Sequence, residues 1–256
     1  MAYFQGALRS MALGMDTNVN VILPYDHYDA NGNPGAYDKV LYMLHGLKQN
    51  ADAWPRMSSI ERYANHYGYA VVIPEVQRSW YCDLPGGTNY FTYITEELPR
   101  ACAGMFRLPE GRENTYIGGL SMGGYGALKC ALRRPDQYGG AMCFSSGFFS
   151  LEAPDRLMKI YYGLGEMQSI LGQDLKLRDE DSLDYLIRHF PADAQKPRLY
   201  LSCGTEDGLF ASNIRARDLL QQQGFTLTWE EWSGVHDWKF WDVAADRAMR
   251  LFAEKK

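Results

Sequence analysis

No apolar run in this sequence of 256 residues approaches the roughly 20 residues that a membrane-spanning helix needs. The five cysteines, Cys82, Cys102, Cys130, Cys143 and Cys203, are an odd number and form no CxxC spacing. That argues against a disulfide scaffold or a zinc site, and reduced thiols point to the cytoplasm. Basic charge is also short, with 26 Lys and Arg against 31 Asp and Glu and a net charge of -5. The only adjacent basic pairs are Arg133-Arg134 and Lys255-Lys256. Nucleic-acid binders carry a basic patch, so no nucleic-acid or membrane partner is expected. The start, "MAYFQGALRSMALGM", has no basic region followed by an apolar one, so no secretory leader is predicted. Its "YFQG" reads equally as a protease-tag remnant or as native chain. The sequence shows no repeat, no G-x-x-x-x-G-K-[ST] phosphate loop and no dinucleotide fingerprint.

What is present is alternation. Short apolar runs at 19–24, 39–46, 69–76, 115–120, 139–147, 197–204 and 225–232 read as strands. Helical patterns at 58–68, 90–106, 123–135, 212–224 and 238–255 separate most of them. Pro99 should kink or divide the second of these. The predicted fold is one α/β domain over 1–256, with a mostly parallel central sheet and helices on both faces. From about 148 to 196 the pattern changes to charged and helical without a clear strand. This is expected to be a cap-like insertion over the carboxyl end of the sheet, where ligands bind in such folds. Asp174, Asp179, Asp181 and Asp184 within it read as surface charges.

The stretch "GGLSMGGYGAL" carries five glycines around Ser121. Gly119-Leu120-Ser121-Met122-Gly123 matches G-x-S-x-G between a predicted strand and a predicted helix, the context that gives the motif meaning. A serine held on a strained turn needs small neighbours, and the helix behind it points its positive end at a developing anion. A serine also needs a base. The order in α/β-hydrolases is Ser, then Asp or Glu, then His, and only His189 and His236 follow Ser121. His236 lies in a loop between a strand and the last helix, whereas His189 reads as a solvated helix end. The acid is expected after the strand at 197–204, where Asp207 is favoured over its neighbour Glu206, read as solvated. Met122 N–H and Leu47 N–H, the latter after the early strand ending in His45-Gly46, are the candidate oxyanion donors.

With "MLHGL", "GLSMGGYGAL", "CGTEDGLF" and "GVHDWKFW" in this order, the chain resembles the esterase D family. That family includes S-formylglutathione hydrolases, tributyrin-type carboxylesterases and acetyl- and feruloyl-esterases. The resemblance runs over almost the whole chain. It implies an α/β-hydrolase without cofactor or metal, with a Ser121–Asp207–His236 triad and Leu47 and Met122 as oxyanion donors. The stretch "RSWYCDLPGGTNYFTYITEELP" looks more like the tributyrin-type esterases than the glutathione-thioester branch, which shows a "GAGFY"-like run in place of "GGTNYF".

The function expected is hydrolysis of short-chain acyl esters, with acetyl or feruloyl sugar esters among the implied substrates. The alternatives are an S-formylglutathione-type thioesterase, acyl transfer to an alcohol, and a catalytically inert binding protein of the same fold. Trp80, Tyr81, Trp238 and Trp241 are candidates to line an acyl pocket, because aromatic walls suit apolar groups. Tyr161, Tyr162 and Leu164 are weaker candidates from the insertion. The partner expected is a small-molecule ester, and the family resemblance implies a homo-oligomer, a dimer or tetramer.

Overall fold

A computed structural model of the chain describes residues 1–28, 31–33, 35, 37–147 and 164–254. An eight-stranded sheet runs through it. The strands are β1 (Ala2–Ser10), β2 (Met15–Leu23), β3 (Lys39–Leu44), β4 (Tyr69–Pro74), β5 (Thr115–Leu120), β6 (Gly140–Phe144), β7 (Arg198–Gly204) and β8 (Leu227–Trp232). Their order across the sheet is β1-β2-β4-β3-β5-β6-β7-β8. β1 and β2 pair antiparallel, as do β2 and β4, and every pairing from β4 to β8 is parallel.

The central strands read as apolar runs because both of their faces are covered. Side chains alternate between faces along a strand. In β3, Val40, Tyr42 and Leu44 join one core, while Leu41 and Met43 join the other. In β4, Ala70 and Val72 face the first, and Tyr69, Val71 and Ile73 the second. Helices α1 (Ala53–Met57) and α2 (Ile60–Tyr67) close the second face through Trp54, Ile60 and Ala64. Gly68, at φ 70°, stops α2 in the left-handed conformation.

The predicted helix over 90–106 is divided. It comprises α3 (Tyr90–Thr92), a π turn (Tyr93–Glu97) and α4 (Leu98–Phe106). Pro99 sits in the first turn of α4, where its missing N–H costs least. Next comes α5 (Met122–Arg133), whose residues from Met122 to Leu132 are all buried. α6 (Leu164–Leu171) and α7 (Leu183–Arg188) belong to the insertion, and α8 (Phe210–Gln222) and α9 (Trp238–Ala253) complete the alternation.

Two points differ from the sequence reading. The start of the chain forms β1, paired with β2 from Ala2↔Leu23 to Ser10↔Met15, so "YFQG" is sheet. Most of β1 is exposed, and an exposed edge strand gives little apolar signal. Asp181 is not a surface charge: it is 1% exposed and bonds the fully buried Lys129 at 2.9 Å. Asp174 and Asp179 are exposed and Asp184 half-buried, as the polar pattern implies. The described part of the insertion packs on α5, with the Tyr125 hydroxyl donating to the Asp181 carbonyl at 2.6 Å. Residues 148–163 of the insertion, Tyr161 and Tyr162 among them, lie outside the described residues, and so does the side chain of Leu164.

Candidate active site

The sheet order reverses between β3 and β5. β3 leads to β4 on one side, and β5 leads to β6 on the other. Such a reversal leaves a crevice at the carboxyl ends of the strands. β3 ends at Leu44 and β5 at Leu120, with Leu44 in register with Gly119. The loops that follow therefore carry His45-Gly46-Leu47 and Ser121 side by side.

Ser121 has φ 53° and ψ −116° and stands immediately before α5. A non-glycine residue there is strained, and the surroundings hold it in place. Its N–H donates to the Phe144 carbonyl at 2.9 Å, and its carbonyl accepts from Gly147 N–H at 2.9 Å. The flanking glycines are needed for close approach rather than flexibility. A Cβ at Gly119 would lie 2.7 Å from the Gly123 and Leu44 carbonyl oxygens, and one at Gly123 2.4 Å from Leu44 O. Either would push β3 away from the serine turn.

His236 and Asp207 arrive from the far side of the sheet. β7 and β8 are neighbours, with Gly204 in register with Trp232, and each is followed by a loop. His236 Nε2 lies 3.0 Å from Ser121 Oγ, and its Nδ1 lies 2.8 Å from Asp207 Oδ2. An ionised carboxylate only accepts, so Nδ1 carries the proton and the Nε2 lone pair faces the serine. Asp207 is 5% exposed. Burial pushes its pKa upward, but the His236 hydrogen bond and charge, with the Leu209 N–H at 2.8 Å, outweigh this and hold it low. The imidazole and the Trp241 ring pack perpendicular to each other, ring centroids 4.8 Å apart at 90°. Asp237, the next residue, caps α9 by accepting from Phe240 N–H at 3.2 Å, which fixes the loop's exit.

The aromatic candidates divide by position. Trp80 approaches the serine loop: its ring tip would stand 2.9 Å from a Cβ at Gly147, whose N–H bonds Ser121. Trp241 is 5% exposed and backs the imidazole, and Trp238 packs on Trp241 and Trp54. Tyr81 is fully buried, with its hydroxyl on the His45 carbonyl at 2.8 Å. His45 is buried under the same loop, and His189 is an exposed helix end stacked on Tyr185 at 4.0 Å.

Glu206, read as solvated, does more than the sequence suggests. It is exposed, yet Oε2 accepts from Gly234 N–H at 2.6 Å and Oε1 from the Ser233 hydroxyl at 3.3 Å. Its own N–H donates to the Gly234 carbonyl at 3.1 Å. The Gly234 hydrogen bond comes first among the causes that lower its pKa. Glu206 thus ties the acid loop to the histidine loop beside the Asp207–His236 bond. The "TED" spacing offers no signal for this, because Gly234 is distant in sequence. Glu206→Ala is expected to lower kcat about 3 to 10-fold with little change in KM, as imprecise positioning does. Steady-state kinetics on a p-nitrophenyl ester checks it, and an unchanged kcat refutes it.

Among the described residues, no group of three or more His, Cys, Asp or Glu side chains is arranged to hold a metal ion. In the same set, no helix is long and apolar enough to cross a membrane.

Comparison with known proteins places this geometry in context. The Esterase family model matches residues 10–251. The chain is 30% identical to an acetyl esterase of Caldicellulosiruptor saccharolyticus, over 94% of each protein. Among solved structures it is similar to the fluorophosphonate-binding serine hydrolase F of Staphylococcus aureus, at 31% identity and a TM-score of 0.89 over 99% of both chains. It is also similar to the S-formylglutathione hydrolase FrmB of Staphylococcus aureus, at 32% identity and a TM-score of 0.86 over 99% of both. A serine on a glycine-cleared turn and a family match across nearly the whole length agree, and the chain belongs to the esterase family as a serine esterase of α/β-hydrolase fold.

Proposed function

We propose that this protein hydrolyses short-chain acyl esters through an acyl-enzyme on Ser121, with His236 as base and Asp207 as its orienting acid. The observation that carries the reading is the continuous relay from Asp207 Oδ2 to His236 Nδ1 at 2.8 Å and from Nε2 to Ser121 Oγ at 3.0 Å. His236 takes the serine proton as Oγ attacks the ester carbonyl. The oxyanion that forms is held by Met122 N–H, in the first turn of α5 where no intrahelical acceptor exists, and by Leu47 N–H. The imidazolium, stabilised by Asp207, then gives its proton to the leaving alcohol. Water, activated by the same imidazole, releases the acid and restores Ser121.

The aromatic surroundings and the acetyl esterase relative favour a small acyl group on a loosely selected alcohol. The similarity to FrmB supports a second reading, in which the alcohol is replaced by a thiol as in S-formylglutathione. The five cysteines are free and buried, which suits a reducing compartment such as the cytoplasm. The insertion at 148–196, whose described part is seated on α5, is the element we assign as the cap of a single domain.

Fluorophosphonate labelling of Ser121, together with a p-nitrophenyl acetate-to-octanoate series run beside S-formylglutathione and feruloyl esters, tests this. The expected result is stoichiometric labelling and the highest kcat/KM on acetate or butyrate. A preference for the thioester by more than tenfold would select the second reading, and absence of labelling would remove both.

A further inference from the structure

Two consecutive residues beside the site, Trp80 and Tyr81, adopt positive φ values of 52° and 55°. Side chains rarely occupy this region, and such strain persists only where the surroundings over-determine it. Here they do. Lys129 Nζ reaches out of α5 to the Trp80 carbonyl at 3.3 Å. Tyr81 N–H donates to the Ser79 hydroxyl at 3.1 Å, and Cys82 N–H to the Ser79 carbonyl at 3.1 Å. The Tyr81 ring lies flat against α5 at Gly126, where a Cβ would come within 2.4 Å of it.

This arrangement delivers one polar atom to one place. The Tyr81 hydroxyl donates to the His45 carbonyl at 2.8 Å. That carbonyl shares its peptide with the Gly46 N–H, which donates to Gln49 Oε1 at 2.9 Å. The next peptide consists of the Gly46 carbonyl and the Leu47 N–H. Its carbonyl is fixed by His45 Nδ1 at 2.9 Å and by Gln49 N–H at 3.1 Å. The His45 ring is set in turn by Val76 N–H on Nε2 at 3.2 Å. The first peptide plane is therefore held at both its carbonyl and its N–H, and the second at its carbonyl, which sets the direction of the Leu47 N–H.

We propose that Tyr81 is a positioning residue of the oxyanion hole: its buried hydroxyl, held by a strained turn anchored on α5, sets the direction of the Leu47 N–H. It acts on the transition state through the backbone of residues 45–47, not as a wall of the acyl pocket. The inference rests on the proposed acyl-enzyme reading on Ser121, in which the Leu47 N–H is an oxyanion donor.

The test is Tyr81→Phe, which keeps the ring against Gly126 and removes only the hydroxyl. Complete loss of an oxyanion donor costs about 100 to 1,000-fold in kcat, so misdirecting one is expected to cost about 10 to 50-fold. KM for p-nitrophenyl acetate and butyrate should stay within twofold. Turnover is expressed per site titrated to completion with a fluorophosphonate, so that misfolded protein is not counted. Gln49→Met, a half-buried change that frees the other end of the same peptide, is expected to show the same fall in kcat.

A kcat within twofold of wild type in either variant overturns the proposal, as does a change confined to KM or to chain-length preference. Fewer titratable sites with unchanged turnover per site also overturns it, because that marks a purely structural role. Failure of the parent reading is separate: it shows as retained turnover in Ser121→Ala, whatever Tyr81 does.

Discussion

Ser121→Ala is expected to lose about 10⁴ to 10⁶-fold in kcat toward p-nitrophenyl acetate, the scale on which removal of a triad serine acts in other serine hydrolases. The loss should appear without unfolding, because among the described residues the Ser121 side chain bonds only His236, while its backbone bonds run to Phe144, Gly147 and Tyr125. A second variant separates chemistry from backbone strain. Ser121 is held at φ 53° and ψ −116°, which glycine adopts freely and alanine does not. Strain of this kind is worth about 1–3 kcal/mol. Against it stands the extra freedom of glycine in the unfolded chain, about 0.5–1 kcal/mol. Ser121→Gly is therefore expected to be as inactive as Ser121→Ala but to melt at a higher temperature. Turnover and thermal unfolding of both variants check this. A glycine variant no more stable than the alanine variant would remove the strain argument, and an active alanine variant would remove the nucleophile.

Asp181→Ala is expected to destabilise the fold by about 3–5 kcal/mol, the scale for stripping one partner from a buried ion pair. Lys129 is completely buried on α5, with its ammonium 2.9 Å from Asp181 Oδ1, 3.2 Å from Cys82 Sγ and over the Tyr125 ring at 4.9 Å. Arg178 bonds the other carboxylate oxygen at 2.6 Å. Without Asp181 the lysine is left with no ion-pair partner among the described residues. Replacing both partners, as in Lys129→Met with Asp181→Leu, should cost far less, because the desolvation penalty vanishes along with the attraction. Urea unfolding of the single and double variants measures the difference, and a loss below about 1 kcal/mol in Asp181→Ala sinks the claim.

The pH dependence follows from the same pair. Burial acts to raise the Asp181 pKa, but Lys129 and then Arg178 overcome it, and the net direction is down. Its contribution is present above the unfolded value of about 3.9 and is lost as pH falls through the lower folded value. Burial acts to lower the Lys129 pKa, and the groups around it leave the net direction up. Its contribution is present below the unfolded value near 10.4 and is lost as pH rises through the higher folded one. The pair therefore supports stability across the whole neutral range.

The sequence by itself determined the alternation of strands and helices, the serine turn and the order of its partners. These are local signals. Strands buried on both faces read as continuous apolar runs, and the serine turn needs its glycines within two residues on each side. The motif blocks also identified the family, because four short runs in a fixed order survive without knowledge of their distances.

The tertiary structure decided everything that joins distant residues. Ser121 and His236 meet across 115 positions because the parallel strands β5 and β8 have their carboxyl ends at the same end of one sheet. Lys129 and Asp181, 52 positions apart, form a buried pair where a charged tract suggested only solvent. Glu206 acquires its role from Gly234, and Tyr81 from His45, through contacts that no periodicity encodes. β1 escaped notice for a related reason: its partner β2 supplies its hydrogen bonds, and its exposed face supplies no pattern. Local sequence sets which conformations are cheap, whereas which polar groups share an interior is fixed only when the sheet brings them together.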